Sequence, residues 1–121
     1  MIYFISGHLS LTDEEFEQFY VPLIYKGISE GSSFVVGDAA GADSMSQKYL
    51  HTKTNKVVVY HMFDSPRFNA GFETKGGFAS DNSRDKAMTL ASDGDIAYIR
   101  PGKEKSGTQR NIDRRKNVSK K

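Results

Sequence analysis

Four short runs of apolar residues, mostly β-branched or aromatic and separated by stretches with helical spacing, constrain this chain more than any other feature. They are Ile2–Ile5, Phe34–Val36, Val57–Tyr60 and Ile96–Ile99. Apolar runs without polar alternation suit strands buried on both faces, and strands that alternate with helices pair in parallel through crossovers. The expected class is therefore α/β, doubly wound, with a mainly parallel sheet of four or more strands. With 121 residues, 37% of them hydrophobic, the chain has material for one core and little room for a second. A single domain over residues 1–121 is expected.

Local signals between the strands set the helices. Thr12-Asp13-Glu14-Glu15 is a capping box, in which the Thr12 side chain accepts from the Glu15 amide while Glu15 reaches back. Phe16, Phe19, Tyr20, Leu23, Ile24 and Ile28 then recur at helical spacing, up to about Gly31. Pro22 lies off that stripe and is expected to kink the helix or restart it from a first turn. Helical spacing resumes at Met45, Tyr49 and Leu50, and again at Ala87, Met88, Leu90 and Ala91 after a cap at Ser80 or Asp81. Residues 64–80 show no periodicity and read as a long loop. A loop from Arg100 to Ser106 leads into a basic helix beginning near Gly107-Thr108.

Composition excludes several classes. The chain has no cysteine, which removes disulfides, thiolate nucleophiles and Cys-ligated zinc. No apolar run approaches the ~20 residues that span a bilayer, and Met1–Ile5 is too short, and lacks the basic flank, for a signal peptide. A cytoplasmic protein without a membrane partner is expected. His8, His51 and His61 have no metal-ligand spacing, so no metal is expected. Neither G-x-x-x-x-G-K-[ST] nor G-x-G-x-x-G occurs, and no G-x-S-x-G nucleophile elbow is present, so no cofactor is expected. The net charge of +2 is uneven, with eight basic and two acidic residues from Lys103 onward. The bland account of that end is a solvated helix frayed over residues 112–121.

In open parallel sheets, ligands bind beyond the carboxyl ends of the strands. Four places reach that edge: Gly7 and His8 after the first strand; Gly37, Asp38, Gly41 and Asp43 after the second; His61 after the third; and Arg100, Pro101, Gly102, Ser106, Gly107 and Thr108 after the fourth. Glycine directly before a helix lets backbone N–H groups approach an anion at the positive end of the helix dipole, and phosphate is the natural guest. Turns also use glycine, so one such loop is weak evidence and two are better. Arg84 is expected in the first turn of its helix, where a cation opposes the dipole. Its compensation is either the neighbouring Asp81 and Asp85 or the phosphate of a ligand. Asp95, just before the fourth run, is read as a cap or turn residue at the opposite edge.

The stretches from Val35 to Asp43, Arg84 to Met88, Ser92-Asp93, Asp95 to Ala97, Pro101-Gly102 and Ser106 to Thr108, in that order, resemble the SLOG superfamily of Rossmann-like proteins. It includes LOG-type nucleoside 5′-monophosphate phosphoribohydrolases and the DNA-processing protein DprA, and this chain is most similar to its small bacterial and phage-borne members. The resemblance implies a Rossmann-like three-layer sandwich, a nucleotide ligand and a homodimer. In the LOG-type pattern an arginine precedes the last strand and P-G-G-x-G-T-x-x-E opens the phosphate-binding helix, the arginine and glutamate being implicated in cleaving the N-glycosidic bond. Arg84 matches the arginine, and Gly107-Thr108 match the G-T. Asn111 stands where the glutamate would be, and the loop from Pro101 to Ser106 is longer than the pattern. Asparagine hydrogen-bonds a ribose but cannot serve as a carboxylate base.

Two readings follow. The first is a binder of a nucleotide or nucleotide-derived ligand, acting as a sensor or sequestering protein. The second is a nucleotide N-glycoside hydrolase or transferase, with Arg84 and Asp38 as candidate catalytic residues. A third, single-stranded DNA binding by the basic end, ranks last, because no aromatic residue for base stacking lies between Lys103 and Lys121.

Overall fold

The computed structural model describes residues 1–103 and 106–119, with side chains through Lys116. Its strands are β1 (Ile2–Ile5), β2 (Ser33–Val36), β3 (Val57–Met62), β4 (Glu73–Phe78) and β5 (Gly94–Ile96). Its helices are α1 (Asp13–Phe19), α2 (Val21–Ser29), α3 (Ala42–His51), α4 (Asp81–Ala91) and α5 (Gly107–Ser119). All five strands are parallel, in the order β4-β3-β2-β1-β5. The chain moves outward from β1 to β4 and then returns to the other side of β1, so the topological switch point lies between β1 and β5.

Strand pleating sorts the apolar runs into two layers of contact. Ile5, Phe34, Val36, Val57 and Val59 join Phe16, Tyr20, Ile24 and Leu50 in the larger core, under α1, α2 and α3. Phe4, Val35 and Tyr60 face the other way and meet Met88 of α4, with α5 packed beside α4. The result is the expected α/β/α sandwich.

Thr12 accepts from the Glu15 amide at 3.1 Å and Glu15 accepts from the Thr12 amide at 2.9 Å, which completes the capping box. The following apolar stripe is two helices joined at Tyr20, with Pro22 in the first turn of α2. Its missing N–H is lost where no intrahelical partner exists in any case.

Three expectations fail. Residues 64–80 are not one loop, because Glu73–Phe78 form the parallel edge strand β4. Its residues are exposed up to the half-buried Phe78 and carry no apolar alternation, and it is held by backbone pairing to β3 and by Phe78 stacked on Tyr60 at 5.8 Å. The connection from β3 to β4 contains no helix. Buried Gln47 fastens it, donating to Phe68 O and accepting from the Ala70 amide at 2.9 Å.

The last strand ends at Ile96, not Ile99, because β1 turns away at Gly7 and leaves residues 97–99 without a parallel neighbour. Asp95 therefore lies within β5, and its carboxylate accepts from the Arg115 guanidinium. It is neither a cap nor a turn residue. The fraying expected over residues 112–121 falls on a segment that is helical through Ser119, with residues 120–121 outside the described part.

One hydroxyl joins the two strands at the switch point. Tyr20, fully buried, donates to Ser6 O at 2.7 Å and accepts from the Tyr98 amide at 3.1 Å. Gly7 is needed beside it, because a Cβ there would collide with the Tyr20 hydroxyl and with Ala42. Burial, above all, pushes the Tyr20 phenol up to about 12. Tyr20→Phe is expected to lower stability by about 1–3 kcal/mol, since it leaves a buried carbonyl and a partly buried N–H unpaired. Urea unfolding of the two proteins measures the difference.

Candidate functional site

A cleft of about 640 Å³ opens at the carboxyl edge of the sheet, between the loop after β1 and the amino end of α5. It lies at the switch point, the place where open α/β sheets hold ligands, and its size falls within the usual range for small-molecule sites. One wall is the first turn and a half of α4, with Asp81, Arg84 and Asp85; the opposite wall is Ser106, Gly107, Thr108, Arg110 and Asn111. The floor includes Ser6, Gly7, His8 and Asp43, and exposed Leu9 stands at the rim.

The loop after β2 is shaped by Gly41. Its φ of 74° is a left-handed conformation, and a Cβ there would strike the His8 and Leu9 carbonyls. This close approach places the amino end of α3 beneath the loop after β1, where the Ala42 amide donates to His8 O at 3.2 Å. Asp43, in the first turn of α3, reaches the cleft from below.

The acidic wall is a network centred on two arginines. Asp38, 1% exposed, accepts from the Arg84 Nη1 at 2.8 Å, from the Arg67 Nη2 at 2.8 Å and from the Arg67 amide at 2.8 Å. Burial on its own would raise this carboxyl, but the Arg67 hydrogen bonds and the charges of Arg67 and Arg84 outweigh it and hold it below its ordinary value. Arg84 also donates to Asp85 at 3.0 Å and lies 3.2 Å from Asp81. The compensation for its charge is thus a set of protein carboxylates, including the Asp81 and Asp85 pairing weighed from the sequence.

Asp43 differs from Asp38. Among the described residues only the Ala39 amide donates to it, at 3.1 Å, and burial drives its carboxyl up to about 7 against the opposing charge of Arg84. Two carboxyls a few residues apart are thereby driven in opposite directions. His8 is held neutral on its Nε2 side, which accepts from the Arg100 amide at 2.9 Å, and burial followed by the Arg100 charge lowers its pKa.

The opposite wall is rich in donors. Ser106 caps α5 by accepting from the Gln109 amide at 3.2 Å, and its carbonyl accepts from Arg110. The amides of Gly107 and Thr108 have no acceptor among the described residues, as expected for a helix start. The Arg110 guanidinium folds back over Gly107. Unlike Arg67, Arg84, Arg100 and Arg115, it has no carboxylate partner among the described residues. Asn111 lines the cleft with its oxygen accepting from Arg114 at 2.7 Å.

Among the residues singled out from the sequence, Gly7, His8, Asp43, Arg84, Gly102, Ser106, Gly107, Thr108 and Asn111 line this cleft. Gly37, Asp38, Gly41, His61, Arg100 and Pro101 do not. Asp38 lies behind Arg84 as a buried anchor, off the cleft lining. His61 lies against Gly76 of β4, with Nδ1 3.0 Å from Met62 O, two strands from the cleft. Arg100 turns outward to Glu15 and Ser10, and its hydrogen bonds hold the Glu15 carboxyl down to about 2.

Ser6, Leu9 and Arg110 were missed. Ser6 and Leu9 flank the Gly7-His8 pair, so extending that loop by one residue each way finds them. Arg110 follows Gly107 by three residues, one helical turn. Arg67, in a segment without periodicity, gave no signal.

Comparison with known proteins gives no match to a family model, to a curated protein or to a solved structure. Among the described residues, no group of three His, Asp or Glu side chains could hold a metal ion, and no helix is long and apolar enough to cross a membrane.

Two stability predictions follow from this geometry. Arg84→Ala is expected to destabilise the ligand-free protein by about 3–5 kcal/mol, because it strips a buried partner from Asp38; thermal melts check it. For Asp43, the folded protein keeps a proton up to about pH 7 whereas the unfolded chain releases it near its ordinary carboxylate value. The folded state binds more protons in that window, so this group's contribution to stability falls as pH rises from about 4 to 7. Asp43→Asn is expected to remove that decline and to be the more stable protein at pH 8, by about 1–4 kcal/mol, as read from denaturant unfolding at a series of pH values.

Proposed function

We propose that the cleft binds a nucleotide or nucleotide-derived ligand, with its phosphate at the amino end of α5, and that the protein serves as a sensor or sequestering module for it. The observation that carries this reading is the polarity of the cleft. One wall offers the Gly107 and Thr108 amides and the carboxylate-free Arg110, a combination suited to an oxyanion. The other offers the outward oxygens of Asp81 and Asp85, which accept from hydroxyl or amino donors such as those of a ribose or a base. The resemblance of the sequence to the SLOG superfamily agrees with this ligand class.

A second reading, cleavage at the N-glycosidic bond, draws on one observation: Asp43 is a buried carboxyl in the cleft whose pKa lies near 7, as a general acid requires. Asn111 weighs against it. Its oxygen is already held by Arg114, and no carboxylate stands at that point of α5.

Native mass spectrometry of freshly purified protein is expected to show a co-purifying nucleotide-like mass, or a one-to-one complex when adenosine 5′-monophosphate is added. Arg110→Glu is expected to weaken that complex by about tenfold or more without changing the melting profile of the free protein. Long incubation with the same nucleotide is expected to release no free base by chromatography. Release of base that Asp43→Asn abolishes would establish the second reading instead.

A further inference from the structure

The cleft floor contains two polar side chains that the fold buries without completing their hydrogen bonding. Ser6 is 6% exposed, and its hydroxyl has no partner among the described residues. Asp43 is 7% exposed; Ala39 donates to one carboxyl oxygen, and the other has no donor among the described residues. Buried polar groups are almost always paired, so the Ser6 hydroxyl calls for an explanation, while the second Asp43 oxygen opens toward the cleft. Both line the cleft floor. Ser6 continues β1 past the Ile5–Val36 pair, which sets it beside Gly37 at the end of β2, and the Asp43 carboxylate packs against Gly37 so closely that a Cβ there would strike it.

Charged and titratable groups from several elements face Asp43. Asp38 faces it from the loop after β2, Arg84 and Asp85 from α4, and Tyr20 from the junction of α1 and α2. His8, lining the same floor, is fixed as an acceptor towards Arg100. Arg84 is the cation that would ordinarily neutralise Asp43, but its guanidinium is already bonded to Asp38 and Asp85 and lies against Asp81. Asp43 is therefore a largely buried carboxyl with no ion-pair partner of its own among the described residues, and its proton is retained up to about pH 7.

We propose that Ser6 and Asp43 form an oxyanion subsite in the cleft floor, where Asp43 binds as a carboxylic acid and an anionic ligand is captured together with one proton. This deepens the nucleotide-site reading and rests on it. The Ser6 hydroxyl and the acid O–H of Asp43 supply the donors, while the other Asp43 oxygen keeps its bond from Ala39. A bound anion favours the neutral acid further, and an ionised Asp43 repels it, so binding and protonation reinforce each other.

Sulfate is the probe, because its charge is constant from about pH 5.5 to 8.5, so any pH dependence belongs to the protein. Calorimetric titration of the full chain at fixed ionic strength is expected to show affinity falling by about tenfold per pH unit above pH 7. Asp43→Asn, which keeps an oxygen for the Ala39 amide, is expected to bind sulfate equally at both ends of the range. Ser6→Ala is expected to weaken binding severalfold at every pH without changing the slope. As a check on the unmodified protein, carboxyl-carbon NMR is expected to show the Asp43 midpoint rising when sulfate is added. Sulfate affinity that ignores pH, a slope that survives Asp43→Asn, or an Asp43 midpoint unmoved by bound sulfate overturns the proposal. Binding of adenosine 5′-monophosphate with none of sulfate overturns this subsite alone, whereas binding of neither overturns the nucleotide-site reading as well.

Discussion

The Tyr20 hydroxyl holds together the place on which the rest of the molecule depends. A sheet that reverses its strand order must separate the chain ends on either side of the reversal, and at that point β1 and β5 stop pairing. A backbone carbonyl on one side and an N–H on the other would be left inside the protein. One phenol, placed by the junction of two helices, satisfies both. The glycine next to it is the steric counterpart, since only a residue without a side chain lets the ring come so close. The opening of the cleft is thus fixed by a buried hydrogen bond and not by the surface loops that border it.

Charge pairing then divides the cleft into unlike halves. On the α4 side every arginine is matched by carboxylates: Arg84 by Asp38 and Asp85, Arg67 by Asp38 and Asp81. Buried networks of this kind add little net stability relative to apolar packing, but they are costly to break, and so they fix geometry. On the α5 side Arg110 has no such match among the described residues, and the helix start adds its own partial positive charge. The sign of each half is set by whether its cations are already spent within the protein.

Much of this was legible in the sequence wherever periodicity and local chemistry coincide. The runs Phe34–Val36 and Val57–Tyr60 become central strands because apolar residues on both faces have helices to meet, and Thr12 with Glu15 caps α1 because the required spacing is local. β4 was not legible. An edge strand with Lys75, Gly76 and Gly77 needs no apolar alternation, since its pairing comes from the backbone of β3. The end of β5 was misjudged because Ala97, Tyr98 and Ile99 look like strand residues, whereas their partner had already turned away. The glycine loops marked the edge of the sheet at which the cleft opens. Sequence could not tell Asp38 from Asp43, because burial and the long-range arrival of Arg67, twenty-nine residues away from Asp38, decide which carboxyl is an anchor and which stays open to a ligand.

Asp38 is also a mechanical link. It is gripped on one side by Arg67, from the helix-less span that carries the outermost strand, and on the other by Arg84, from the wall of the cleft. Edge strands with few apolar contacts belong to the parts of a protein that open first. When β4 and its connection detach, Arg67 leaves with them, and the guanidinium of Arg84 inherits the whole of a buried charge that two cations had shared. The far margin of the sheet and the cleft, though three strands apart, are therefore joined by a tether of one carboxylate, and a fluctuation at the margin is felt as a change of field in the cleft.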